Sequence, residues 1–153
     1  LEAFKLRVGF DIDGVLAKQD LEELLKASNS IPREQKIIEY FASCKPLLNP
    51  LHFCNPIYDK IFVITSREQL AIPATREWCA QHLPQYAKLI FACVEKWQIQ
   101  SEIQDWFKRV AQEKAFIING LNIEVYFEDI PEVVLLLREL CPSTKIIHYG
   151  GNY

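Results

Sequence analysis

Five short runs, apolar almost throughout, recur along this chain of 153 residues: 6–10 (LRVGF), 61–64 (IFVI), 88–93 (KLIFAC), 123–127 (IEVYF) and 145–149 (KIIHY). Segments with helical spacing lie between them, over 21–27, 32–44, 73–82, 98–112 and 131–140. A strand that is apolar on both faces needs cover on both faces, which calls for a parallel sheet between layers of helices. The pattern therefore predicts an α/β, Rossmann-like three-layer sandwich around a mostly parallel five-stranded sheet. The length fits one domain over 1–153 with a substantial core.

Two segments interrupt this rhythm. Pro46, Pro50 and Pro56 exclude a long regular element over 45–58. Together with the helical stretches before it, this segment makes a small helical insertion after strand 1, a cap or flap within about 16–58. After the amphipathic helix at 98–112, a further short helical stretch is expected to stop at Asn119-Gly120.

Polar residues gather where the apolar runs end. Asp11 and Asp13 follow the first run, with Gly14 next to them; Thr65, Ser66 and Arg67 follow the second; Glu128 and Asp129 follow the fourth. Each group has a local explanation: a turn for DxDG, a helix N-cap for TSR, and a favoured acidic pair at a helix start for ED. In an open parallel sheet, however, ligands bind outside the carboxyl ends of the strands. Three strand ends thus deliver acids, hydroxyls and a cation to one edge. Like charges this close repel unless a positive charge sits among them, and carboxylates from two strands suit a hard cation such as Mg²⁺.

The remaining composition narrows the function classes. The net charge of −3 comes from interspersed acids and bases, with no broad nucleic-acid-binding surface evident. No apolar run is long enough to span a bilayer, and the N-terminus lacks a signal-peptide layout. The five cysteines are widely spaced without a CxxC pair, which fits small core residues in a reducing, cytoplasmic setting. His52 and Cys54 form a lone HxC with no neighbours to complete a zinc site. With no methionine even at position 1, the native start is expected to have been removed or to lie outside this chain. Trp78, Trp97 and Trp106 read as packing, and His148 as a core or rim histidine.

FDIDGVL at 10–16, IFVITSR at 61–67, a lysine, and VYFEDIPEVV at 125–134 together resemble the haloacid dehalogenase (HAD) superfamily, specifically its phosphatase branch and a compact, nucleotidase-like member of it. The resemblance implies a phosphomonoester hydrolase that uses Mg²⁺. Asp11 would be the nucleophile that forms an aspartyl-phosphate, and Asp13 the general acid–base, its backbone carbonyl helping to bind the metal. Thr65 would hydrogen-bond the phosphoryl group, with Ser66 as the alternative if the strand ends one residue later. Gly14, Ser66 and Arg67 would border the substrate, although Arg67 also fits a simple surface ion pair. Asp11, Asp13, Asp129 and Glu128 are the candidate metal ligands. The phosphate-site lysine is Lys114 or Lys96, with Lys114 the better match to the compact pattern.

The partner implied is a small phosphate ester, such as a nucleotide, with no membrane involved. The alternative is a non-catalytic HAD-like domain that keeps the acidic site to bind metal, a protein or a nucleic acid. A cap this small leaves a fairly open site. Oligomeric state has no signature in the sequence.

Overall fold

The structure is a computed structural model and describes residues 5–92 and 103–150. Five strands form one parallel sheet in the order β3-β2-β1-β4-β5. They are β1 (Arg7–Phe10), β2 (Lys60–Thr65), β3 (Lys88–Phe91), β4 (Val125–Glu128) and β5 (Lys145–His148). The helices are α1 (Leu21–Ser28), α2 (Arg33–Ala42), α3 (Ile72–His82), α4 (Ile103–Gly120) and α5 (Pro131–Leu140), with short 3-10 turns at Pro50–His52 and Gln69–Ala71.

Alternation along the strands assigns each residue to a layer. Val8, Phe10, Ile61, Val63 and Phe127 face α1, α2 and α3, where Leu24, Ile37, Phe41 and Trp78 complete one core. Phe62, Ile64, Tyr126 and Ile146 face α4 and α5, against Val110, Ala111, Ile118, Val134 and Leu137. The stacked rings of Phe10 and Phe127, 4.9 Å apart, tie β1 to β4 on the first face. The predicted three-layer sandwich is what the chain forms.

The strand order decides where a ligand can sit. The chain runs outward from β1 through β2 to β3, then crosses back to place β4 on the other side of β1. Connections leave β1 and β4 toward opposite faces, which opens a crevice beyond their carboxyl ends. Asp11 follows β1, and Glu128 closes β4.

The excursion after β1 holds α1, α2 and a 3-10 turn, and its two ends are stitched together beside the crevice. Leu47 N–H donates to the Leu16 carbonyl at 2.8 Å, and Leu48 N–H to that of Val15 at 3.1 Å. Asp20 caps α1 by accepting from Glu23 N–H.

One helix differs from expectation. The segments expected as two pieces, 98–112 and a short stretch ending at Gly120, are a continuous helix over the described part, Ile103–Gly120. Val110, Lys114 and Ile118 recur at four-residue spacing and all are buried, so the inner face runs through the polar QEK without a break. The helix stops at Gly120, and Asn122 takes a left-handed φ of 52° on the way to β4. Residues 98–102, Cys93, Trp97 and Lys96 lie outside the described residues.

Among the described residues the cysteines carry no disulfide. Burial pushes the Cys44, Cys54, Cys79 and Cys141 thiols up to about 11, in keeping with packing rather than reactivity. No helix among these residues is long and apolar enough to cross a membrane.

Candidate active site

Lys114 is the hub of the site. It enters on the inner face of α4 and is only 2% exposed. Its ammonium donates to Asp11 Oδ1 at 3.0 Å and to Glu128 Oε1 at 2.8 Å. A buried ammonium without partners would be prohibitively unfavourable, and two buried carboxylates without a cation equally so. The three groups stabilise one another as a set.

Protonation follows from this geometry. Burial opposes charge on Lys114, but the Asp11 and Glu128 carboxylates outweigh it and hold the ammonium well above the ordinary lysine range. Burial likewise opposes charge on Glu128, yet Lys114 outweighs it and brings its carboxyl below the usual value. Glu128 has the shorter ion pair, and its Oε2 also accepts from Asp129 N–H at 3.1 Å. Asp11 is pushed well above the carboxylate range, first by burial and then by the adjacent Glu128 charge.

One carboxylate oxygen from each of Asp11, Glu128 and Asp129 falls within 4.8 Å of the others, the one such acidic cluster among the described residues. Of the four candidate ligands Asp11, Asp13, Glu128 and Asp129, the Asp13 side chain stands outside this cluster and is committed elsewhere. Its carboxylate accepts from Arg67 Nη2 at 2.8 Å and from Arg67 Nε at 3.1 Å, a two-pronged ion pair.

Arg67 also departs from the surface position considered for it. The residue is 3% exposed, its guanidinium 4.3 Å over the Phe41 ring and donating to Thr75 Oγ1 at 3.2 Å. Phe41 lies on α2 and Thr75 on α3, so one cation links the insertion, the sheet edge and Asp13.

The other expected residues are also at this edge. Strand β2 ends at Thr65, which is fully buried and whose Oγ1 accepts from Arg67 N–H at 3.4 Å. Ser66 lines the cleft beside Asp11, and its hydroxyl is buried without a hydrogen-bond partner among the described residues. Gly14 has φ +81° and sits against Asp129, whose carboxylate occupies the space a Cβ would need.

His148 was not singled out from the sequence as part of the site. Its ring Nε2 lies 3.0 Å from the Asp129 carbonyl oxygen, anchoring the backbone that carries the acidic pair. Its position at the end of β5, register partner of Glu128, was the available signal. Trp106 packs against the core as expected and also lines the cleft. A larger depression of about 620 Å³ between α1 and α2 does not reach the carboxylates, and its Lys26 and Lys36 pair with glutamates of their own helices.

No family model and no curated protein matches the chain. Solved structures do. Over 99% of this chain and 94% of its counterpart, the structure resembles a predicted HAD-like family hydrolase from Porphyromonas gingivalis, with TM-score 0.54 and 11% identity. The chain has the HAD-like fold. A HAD-family enzyme from Bacteroides thetaiotaomicron, in complex with magnesium and inorganic phosphate, matches over 97% of this chain and 96% of its own (TM-score 0.52, 10% identity). A chain of the Pnkp1/Rnl/Hen1 RNA repair complex matches 98% of this HAD-like chain (TM-score 0.59, 18% identity), which spans only 44% of that longer one.

The donor set fits a hard divalent ion. Asp11, Glu128 and Asp129 offer only oxygen, which is what Mg²⁺ takes, and Gly14 leaves Asp129 the room to join them. Gly14→Ala should push Asp129 out of the cluster and weaken Mg²⁺ binding by about 10–100-fold, as read by titration calorimetry. Unchanged affinity would remove Asp129 from the ligand set.

Proposed function

We propose that this chain is a Mg²⁺-dependent phosphomonoester hydrolase working through an aspartyl-phosphate on Asp11, with a nucleotide or another small phosphate ester as substrate. The observation that carries the reading is the convergence of Asp11, Glu128 and Asp129 around buried Lys114 at the crevice between β1 and β4. Mg²⁺, when bound, supplies positive charge that favours ionised Asp11 and offsets charge on the phosphoryl oxygens.

The residues then divide the work. An Asp11 carboxylate oxygen attacks phosphorus and the ester P–O bond breaks, while Asp13, which accepts from Arg67 through both oxygens, first takes up a proton from water and then passes it to the departing oxygen. Water next attacks the phosphorus of the acyl phosphate as Asp13 takes its proton. The bond between phosphorus and Asp11 breaks, releasing inorganic phosphate. Lys114 neutralises Asp11 and the phosphoryl oxygens, while Thr65 and Ser66 orient the group. Arg67 positions Asp13, and the excursion over 16–58 serves as a small cap.

Phosphate release from a phosphomonoester panel tests this reading. Turnover should vanish with a chelator and return with Mg²⁺. Turnover indifferent to the chelator would reject metal dependence, and an inert protein that still binds Mg²⁺ would favour the non-catalytic alternative.

The role of Arg67 has its own test. Arg67→Ala should lower kcat by roughly 10²-fold or more with little change in KM, because general acid–base catalysis is worth about that much. Arg67→Lys should recover part of the loss and leave the pH–rate profile closer to wild type. A rise in KM at constant kcat would instead make Arg67 a substrate contact.

A further inference from the structure

The cleft above the carboxylates is a cavity of about 370 Å³ whose lining is uneven in a way that bears on the leaving group. Asp11, Asp13, Ser66 and Lys114 occupy its floor region. The rest is supplied by both helical layers and is mainly apolar: Leu24, Ile37 and Phe41 from α1 and α2, and Trp106, Phe107 and Val110 from α4. Trp106 and Phe107 pack against the core of that layer and are half-buried, each leaving part of its surface to the cleft wall.

Acids outnumber cations among the described lining residues of the cleft: Asp11, Asp13, Glu68, Asp129 and Glu132 against Arg67 and Lys114. Among the described lining residues the cations are Lys114 and Arg67, and both are bonded to carboxylates of the site. Glu68, also in the wall, is paired with Arg33 at 2.9 Å. Among the described residues, no lining cation is left over for a second phosphate or a carboxylate on the leaving group. Among the further polar groups of the wall is Ser28 at the end of α1, whose buried hydroxyl lacks a partner among the described residues. Such a hydroxyl gains from a ligand donor or acceptor.

Resting on the phosphatase reading, we propose that the cleft selects esters bearing a single phosphate whose leaving group is an uncharged, flat ring system with a polar edge, the chemistry of a nucleoside. The ring packs against Trp106 and Phe107, where stacking and apolar contact favour it. Its polar edge meets Ser28, and the phosphate reaches the floor. A second anionic group would lie in an apolar wall without a counter-charge and is selected against.

Steady-state kinetics with Mg²⁺ on three probes, a nucleoside monophosphate, the corresponding nucleoside bisphosphate and glycerol phosphate, tests this directly. The monophosphate should exceed both others in kcat/KM by at least about 10-fold, the discrimination that apolar contacts give. Trp106→Ala, and Phe107→Ala as a second variant, should raise KM for the monophosphate several-fold while leaving glycerol phosphate kinetics unchanged. Equal use of all three probes, or a uniform loss in both variants with circular dichroism unchanged, would overturn the ring subsite. Calorimetric binding of the nucleoside monophosphate to Asp11→Asn separates the two readings. Binding that depends on Trp106 without any wild-type turnover would keep the subsite and discard the hydrolase, while no binding at all would discard the subsite.

Discussion

Asp11→Asn is expected to reduce phosphate release by roughly 10⁴–10⁶-fold, the scale seen when a covalent nucleophile is removed. The amide matches the carboxylate in size but is a poor nucleophile, and it can still accept the Lys114 hydrogen bond at Oδ1. The variant should therefore keep its fold while losing turnover. Thermal unfolding and phosphate release, measured on the same preparation, check both halves. Loss of activity through unfolding would contradict this account of the site.

Lys114→Met should do the opposite, damaging the fold and the activity together. Methionine approximates the length of the side chain but leaves Asp11 and Glu128 as two buried acids with no cation between them. Breaking a buried pair by removing one partner costs about 3–5 kcal/mol. Glu128 owes its lowered carboxyl range to Lys114. A group lowered in the folded state stabilises above its unfolded value and loses that contribution as pH falls. The stability gap between wild type and variant should thus be wide near neutral pH and narrow in acid, where the acids protonate. Denaturant unfolding across that pH range measures it. A pH-independent gap would mean that Lys114 acts by packing alone. Activity should fall by about 10²–10³-fold, the scale for losing one stabiliser of developing charge.

The parts of this structure that were legible in the sequence are those where one residue pattern has one physical consequence. Apolar runs such as IFVI and VYF could only be covered strands, and polar residues at their ends could only gather at one edge. Asp11, Glu128 and Asp129 were readable for that reason. The place of the Asp13 side chain was harder, because its position two residues after Asp11 says nothing about Arg67, which follows β2 and turns inward to reach it. An arginine after a strand has no sequence mark that distinguishes a surface ion pair from a buried one. Phe41 and Thr75, which hold its guanidinium, come from elements far apart in the chain.

The continuous α4 was obscured by the buried ion pairs of Lys114. A lysine at a core-facing position looks like the end of an amphipathic pattern, yet Lys114 lies inward because the site needs its ammonium there. His148, read as a core or rim histidine, was not assigned to the site for a related reason: its contact is with a backbone carbonyl, which no side-chain motif records.

The most direct measurement is chemical trapping on Asp11. Wild-type protein turning over a phosphomonoester with Mg²⁺ is quenched with borohydride, which reduces an acyl phosphate to the alcohol, and the peptides are weighed by mass spectrometry. Reduction at Asp11, present only with substrate and absent in Asp11→Asn, is the expected result. Sustained turnover with no modified Asp11, or with Asp11→Asn as active as wild type, would contradict the central claim.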